Sequence, residues 1–124
     1  MAEPFAGAPL ACAAALATLD VLAREALAER AARSGARFLD GLSAALADVT
    51  AARVRGRGLM LAVELDRPGA AGRAAKRLLE SGYLVTSGGT TREALVLTPP
   101  LTIAEPLIDA AVVAIAAAVR AVLP

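Results

Sequence analysis

The sequence of 124 residues contains no histidine and no tryptophan, and it has only one cysteine and one lysine. Without histidine, imidazole acid–base catalysis, histidine-based nucleophilic triads and most zinc sites are excluded. The single cysteine, Cys12, cannot form an internal disulfide, which is typical of a cytoplasmic protein. Since no basic residue neighbours Cys12, we interpret it as a small packing residue rather than a reactive thiol.

Aromatic residues and clustered charges are also scarce. Aromatics make up 2% of the chain, and the 13 basic and 12 acidic residues are dispersed, giving a net charge of +1. Nucleic-acid binding is not expected, because no basic tract is available to neutralise phosphates. No acidic cluster has metal-ligand spacing, so no metal is expected. The apolar residues 107–123 include Asp109 and Arg120, which favours a buried helix over a membrane span.

Helical periodicity is the most abundant pattern in the chain. It predicts helices over residues 9–26 and 28–46, with a break near residues 25–28, then over 70–81 and from 102 to the end. Gly82 is placed to end the third helix, and Thr102 with Glu105 fits a capping box for the last. Strands are predicted at 59–65, 83–86 and 94–98, while Gly56 and Gly58 indicate a bulge or a close backbone approach.

This order of elements predicts an α+β fold. We expect a small antiparallel or mixed sheet of about three strands with helices packed on one face, after a long N-terminal helical region. Residues 1–124 are predicted to form one domain, with a helical segment at 1–48 and an α/β layer at 49–124. The first helix carries mostly small residues on its stripe, so it needs close contact with something else, such as a missing domain.

The charged residues that chemistry might use have simpler interpretations. Lys76 lies between Arg73 and Arg77 on the polar face of a helix, so we expect a solvated side chain rather than a Schiff-base lysine. Arg55 and Arg57 have the chemistry to hold a carboxylate, but a solvated sheet edge or a structural ion pair is favoured.

One polar loop, residues 87–93, contains glycines and hydroxyl side chains. Ser87, Gly88, Gly89 and Thr90 offer backbone N–H groups and hydroxyls, which suit either an anion nest or a plain exposed loop, and the plain loop is favoured.

Three segments in the same order carry a family resemblance. They are residues 5–11 (FAGAPLA), 54–61 (VRGRGLML) and 98–103 (TPPLTI). Together they resemble the C-terminal part of class III pyridoxal-phosphate aminotransferases, the acetylornithine, ornithine and 4-aminobutyrate group. The resemblance implies the small domain of an enzyme that moves an amino group from an ω-amine or an N-acetylornithine-like donor to a keto acid.

The same resemblance implies what this chain lacks. In the family, the cofactor lysine and the residues around the pyridine ring belong to a large domain that precedes the matched segments. It also implies a homodimer with active sites at the subunit interface. We therefore expect pyridoxal phosphate in the intact enzyme and none bound by this chain alone, no catalytic or cofactor-binding residue here, and residues 87–90 near the substrate entrance. The expected partners are the large domain or another copy.

Two positions depart from the family pattern. Pro4 stands where members usually have a threonine that reaches the cofactor phosphate of the partner subunit. Val96 stands where many acetylornithine and ornithine enzymes carry an arginine for the substrate carboxylate. Two alternatives to the fragment interpretation remain open: a non-catalytic interaction or dimerisation module, and a truncated reading frame without an independent role.

Overall fold

The computed structural model describes residues 7–123, which form four helices and four strands. The helices are α1 (Pro9–Arg24), α2 (Leu27–Ala45), α3 (Ala70–Glu80) and α4 (Glu105–Arg120), and the strands are β1 (Ala52–Arg57), β2 (Met60–Leu65), β3 (Thr86–Gly88) and β4 (Ala94–Leu97).

The strands form one antiparallel sheet in the order β1-β2-β4-β3. Along β2, Leu61, Val63 and Leu65 are buried, whereas Met60 on the other face is 71% exposed. Because side chains alternate between the faces of a strand, the helices cover one face and leave the other open. The α+β class is therefore confirmed. The largest fully buried side chains form its core: Leu42, Leu65, Leu78, Leu95, Ile108, Ile115, Val63 and Val119.

Ion pairs join α4 to α2 and to the turn that follows α2. Arg37 on α2 donates from Nε and Nη2 to the two carboxylate oxygens of Asp109, at 2.9 and 2.6 Å. Arg120 on α4 makes the same bidentate contact with Asp48, at 2.8 and 2.7 Å. These hydrogen bonds lower the pKa of Asp109 and of Asp48, since each guanidinium stabilises the ionised carboxylate. Both pairs lie on the surface, so they supplement the buried packing between α2 and α4 rather than replace it.

Local chemistry sets the helix boundaries at two predicted places. Gly82 has φ of 86° and ends α3, with the Tyr83 N–H donating to the Leu78 carbonyl at 2.8 Å and the Gly82 N–H donating to the Leu79 carbonyl at 3.0 Å. This is the Schellman arrangement, which glycine allows at low steric cost. The break between α1 and α2 falls at Ala26, in the left-handed region, within the predicted range.

The sheet has one strand more than predicted. Residues 52–57 form β1, which pairs with β2 through a tight turn at Gly58 and Leu59. The close backbone approach predicted at Gly56 and Gly58 is confirmed, because a Cβ on Gly35 of α2 would overlap the backbone of Gly58. The strand predicted at 83–86 is β3, displaced to Thr86–Gly88, because pairing with β4 decides where the ladder forms.

The predicted capping box is wrong. α4 begins at Glu105, its N-cap is Ala104, and no side chain caps it. Instead, the carbonyl of Thr102 accepts a hydrogen bond from Arg30 at 2.7 Å, and Glu105 lies 3.5 Å from Arg37. The helix therefore starts two residues later than a box capped by Thr102 requires, and the carboxylate of Glu105 pairs with α2 instead.

Candidate functional site

The predicted entrance loop lies where β3 passes into β4. Ser87 and Gly88 belong to β3, whereas Gly89 and Thr90 begin the connection, so the irregular part is shorter than predicted. Gly89 has φ of 89° and Arg92 has φ of 55°. Left-handed backbone is unusual for a residue with a side chain, so this connection is a tightly shaped turn.

The connection forms one wall of a cleft of about 490 Å³ on the open face of the sheet. The start of β1 and the end of β2 form the opposite wall, with Arg53, Arg55, Glu64 and Asp66. Two predicted features therefore meet here, the glycine-bearing loop and Arg55. Arg57 does not line the cleft.

The charges in this cleft have both signs. Nε of Arg55 donates to Oε1 of Glu64 at 2.6 Å, and these side chains are 61% and 38% exposed. Of the two interpretations favoured for Arg55, a solvated sheet edge and a structural ion pair, the structure shows the ion pair. Arg53, Asp66 and Glu93 also line the cleft. The cleft therefore contains one ion pair, one further basic side chain and two further acidic side chains. This mixture suits polar contacts better than the binding of a simple anion.

A second, apolar cleft of about 520 Å³ was not predicted from the sequence. It opens where residues 83–85 fail to continue the ladder with β4, and its lining includes Phe38, Tyr83, Val96 and Ile115. In the sequence, only the apolar character of residues 83–85 hinted at this cleft, and the alternating pattern there favoured a strand instead. Val96 pairs with Ala62 and with Thr86 in the sheet, so it lies on the open face.

The described residues do not fit the attachment of pyridoxal phosphate. Enzymes that use this cofactor hold it as a Schiff base on a lysine whose reactivity an enclosed site adjusts. Lys76 is exposed on α3 between the exposed Arg73 and Arg77, as predicted, and lines neither cleft.

Cys12 is exposed on α1 rather than packed, so that prediction is wrong. Pro4 and Phe5 lie outside the described residues.

Helix α1 has no buried residue, and even its large apolar side chains face solvent: Leu10, Leu16 and Leu19 are 85%, 63% and 59% exposed. An isolated helix of this length is marginal in water unless an apolar face packs against something. Within residues 7–123, α1 therefore does not find the close packing contact that its sequence predicts.

None of the described helices is suited to crossing a lipid bilayer, and within residues 7–123 no three potential metal ligands are grouped.

Comparison with known proteins matches residues 1–119 to the sequence family described as aminotransferase class-III. Acetylornithine aminotransferase 1 of Bordetella bronchiseptica is 48% identical over 99 residues, which cover 78% of this chain and 24% of that protein. The structure of ornithine aminotransferase from Toxoplasma gondii superposes with a TM-score of 0.81 at 38% identity, covering 92% of this chain and 27% of that one.

A lysine aminotransferase from Mycobacterium tuberculosis is similar as well, with a TM-score of 0.76, 32% identity, and coverage of 85% of this chain and 24% of that one. The chain thus spans about a quarter of the length of the relatives that it matches. The family resemblance read from the three sequence segments is confirmed. This chain belongs to the class III aminotransferase family.

Proposed function

We propose that residues 1–124 act as one small domain of a class III aminotransferase, which supports amino-group transfer only together with a large domain that binds pyridoxal phosphate. The observation that carries this proposal is the match to about a quarter of each relative, in a chain whose single lysine is exposed. The cofactor chemistry of the intact enzyme is therefore assigned to residues outside this chain, and the chain alone is not catalytic.

The contribution of this domain would be to cover the substrate. Residues 87–90 would stand near the entrance, and closure of such a domain excludes water and completes a site. The mixed charge of the adjoining cleft, with Arg53 and Glu93, offers polar contacts to a substrate that carries both an amine and a carboxylate. An amino donor of the ω-amine or N-acetylornithine type is favoured by the names of the relatives, which include acetylornithine and ornithine enzymes.

A domain graft tests this role. The segment of the Bordetella bronchiseptica enzyme that matches this chain would be replaced by residues 1–124. We expect the chimera to bind pyridoxal phosphate and to transfer the amino group of N-acetylornithine, while the isolated chain does neither. A matched chimera with Leu16→Glu and Leu19→Glu should fail to assemble, since both leucines are exposed here. An isolated chain that consumed an amino donor, with activity lost in Lys76→Gln, would contradict the proposal.

The same exposed α1 favours one alternative, a module that associates with another copy or with a partner. Leu16 and Leu19 are neighbours one turn apart on α1 and both are exposed, and exposed apolar patches mark interaction sites in soluble proteins. Light scattering on the purified chain distinguishes the two. A dimer that dissociates on Leu16→Glu would support self-association, whereas a monomer that binds no hydrophobic dye would count against it.

A further inference from the structure

The outer edge of the sheet carries a row of arginines. β1 pairs with β2 and, among the described residues, with no other strand, so its second edge has backbone groups available for pairing. Arg53, Arg55 and Arg57 are exposed at alternate positions of this strand. Since alternate side chains share a face, all three lie on the open face of the sheet.

Only the middle arginine of this row has a carboxylate partner among residues 7–123. Glu64 forms an ion pair with Arg55, although Arg53 is the residue directly opposite Glu64 in the strand register. Arg57 is opposite Met60, whose side chain is 71% exposed. The row therefore presents two positive charges, separated by four residues or roughly 13 Å along the strand. Neither forms a salt bridge with an acid among residues 7–123, although Asp66 and Glu93 line the same cleft as Arg53.

We propose that the outer edge of β1 binds an extended acidic segment of another protein as a fifth strand. Backbone hydrogen bonds would align the segment, and carboxylates at its positions i and i+4 would face Arg53 and Arg57. Addition of a strand to a free edge is a common mode of peptide recognition, in which alternate side chains give the specificity. The bound segment would carry a β-branched residue between these two carboxylates, with its side chain on the helix-covered face of the sheet. It would lie beside Val54, which is half-buried on that face.

A second copy of this chain is a poor occupant of the same edge. Pairing two β1 strands with matching faces sets arginine opposite arginine, for example Arg53 opposite Arg57, and like charges directly across a sheet are destabilising. Shifting the register by one residue turns the arginines of one copy toward the helix-covered side, where Val54 packs against the core. The charges thus reject self-pairing and favour an acidic strand, independently of the aminotransferase role.

The probe is a fluorescein-labelled peptide, Thr-Glu-Val-Thr-Val-Glu-Thr, titrated with the full chain and followed by fluorescence anisotropy. We expect saturable binding that weakens as salt rises, because the contacts are exposed. Arg53→Glu with Arg57→Glu should weaken binding by about tenfold or more, since two attractions become repulsions. The matched control is Arg73→Glu with Arg77→Glu, which changes the same charge on the exposed face of α3. It should leave the affinity within about twofold of wild type.

Changes in the peptide separate strand pairing from simple charge attraction and do not depend on how a protein variant folds. N-methylation of the two backbone amides that face the edge should abolish binding, and replacing both glutamates by lysines should do the same. The proposal is overturned if the wild-type chain does not bind the probe, or if the control double variant loses as much affinity as the β1 variant. It is also overturned if the N-methylated peptide binds as well as the parent, or if a single-stranded oligonucleotide competes at equal concentration.

Discussion

Replacement of Gly35 by alanine should destabilise the chain, although alanine is the better helix former. Gly35 is buried in α2, and a Cβ there would overlap the carbonyl group of Gly58 and lie 2.6 Å from its Cα. Backbone cannot yield as the tip of a flexible side chain can, so α2 must move away from the β1–β2 turn. Overpacking of this kind costs about 1–3 kcal/mol, which exceeds the roughly 1 kcal/mol gained in helix propensity.

The matched control is the same substitution at Gly72 of α3. A Cβ at Gly72 meets nothing within 4 Å, and its φ is not in the left-handed region. Only the propensity gain remains, so Gly72→Ala should stabilise the chain by about 0.5–1 kcal/mol. The two variants therefore carry the same chemical change with opposite expected signs.

Thermal and urea unfolding, followed by far-ultraviolet circular dichroism, would measure both effects. For a chain of this size, each kcal/mol corresponds to a shift in Tm of about 3–6 °C. We expect Gly35→Ala to melt below the wild type and Gly72→Ala above it. If Gly35→Ala unfolded at or above the wild-type temperature with an unchanged urea slope, the close approach of α2 to the turn at Gly58 would be refuted.

Three further predictions concern the core, the interhelical ion pair and α1. Leu78→Ala, at a fully buried position of α3, should cost about 2–5 kcal/mol in urea unfolding. Asp109→Asn removes a carboxylate whose pKa Arg37 lowers. The wild type should therefore be the more stable above the unfolded carboxyl pKa of about 3.9 and lose this advantage as the pH falls through the lower folded value, seen as converging acid-unfolding curves. Leu16→Gln with Leu19→Gln, both exposed, should change the unfolding free energy of a monomeric chain by no more than about 0.5 kcal/mol.

Long amphipathic segments could be predicted from the sequence because their periodicity and their burial have the same cause. In α3, Ala71, Ala74 and Leu78 are buried and Lys76 is exposed, as the spacing requires. Gly82 ends the helix for a purely local reason, its access to the left-handed conformation. In such places the neighbouring residues alone determine the structure.

The parts that were missed depend on distant residues. β1 was not predicted, because arginines alternate in it with Val54 and Gly56, and its extended form is seen only in its pairing with β2. The capping box failed because the N-cap of α4 is Ala104, two residues after Thr102, and the carboxylate of Glu105 pairs with Arg37 of α2. The mixed-charge cleft joins β1 to the connection after β3, more than thirty residues later. No local pattern reports such a meeting, so only the topology shows it.

The buried core and the surfaces proposed for partner binding are separate parts of this molecule. The core between the helices and the sheet is closed by residues that contact each other, such as Leu42, Ile108 and Val119, each with no exposed area. α1 and the open sheet face add little to that core, since α1 has no buried residue and Met60 is largely exposed. A change in the core should therefore lower the unfolding free energy without changing the specificity for partners, whereas a change on α1 or on the outer edge of β1 should do the reverse. Because the two groups are separable, loss of assembly in an α1 variant that melts like the wild type is evidence of docking and not of misfolding.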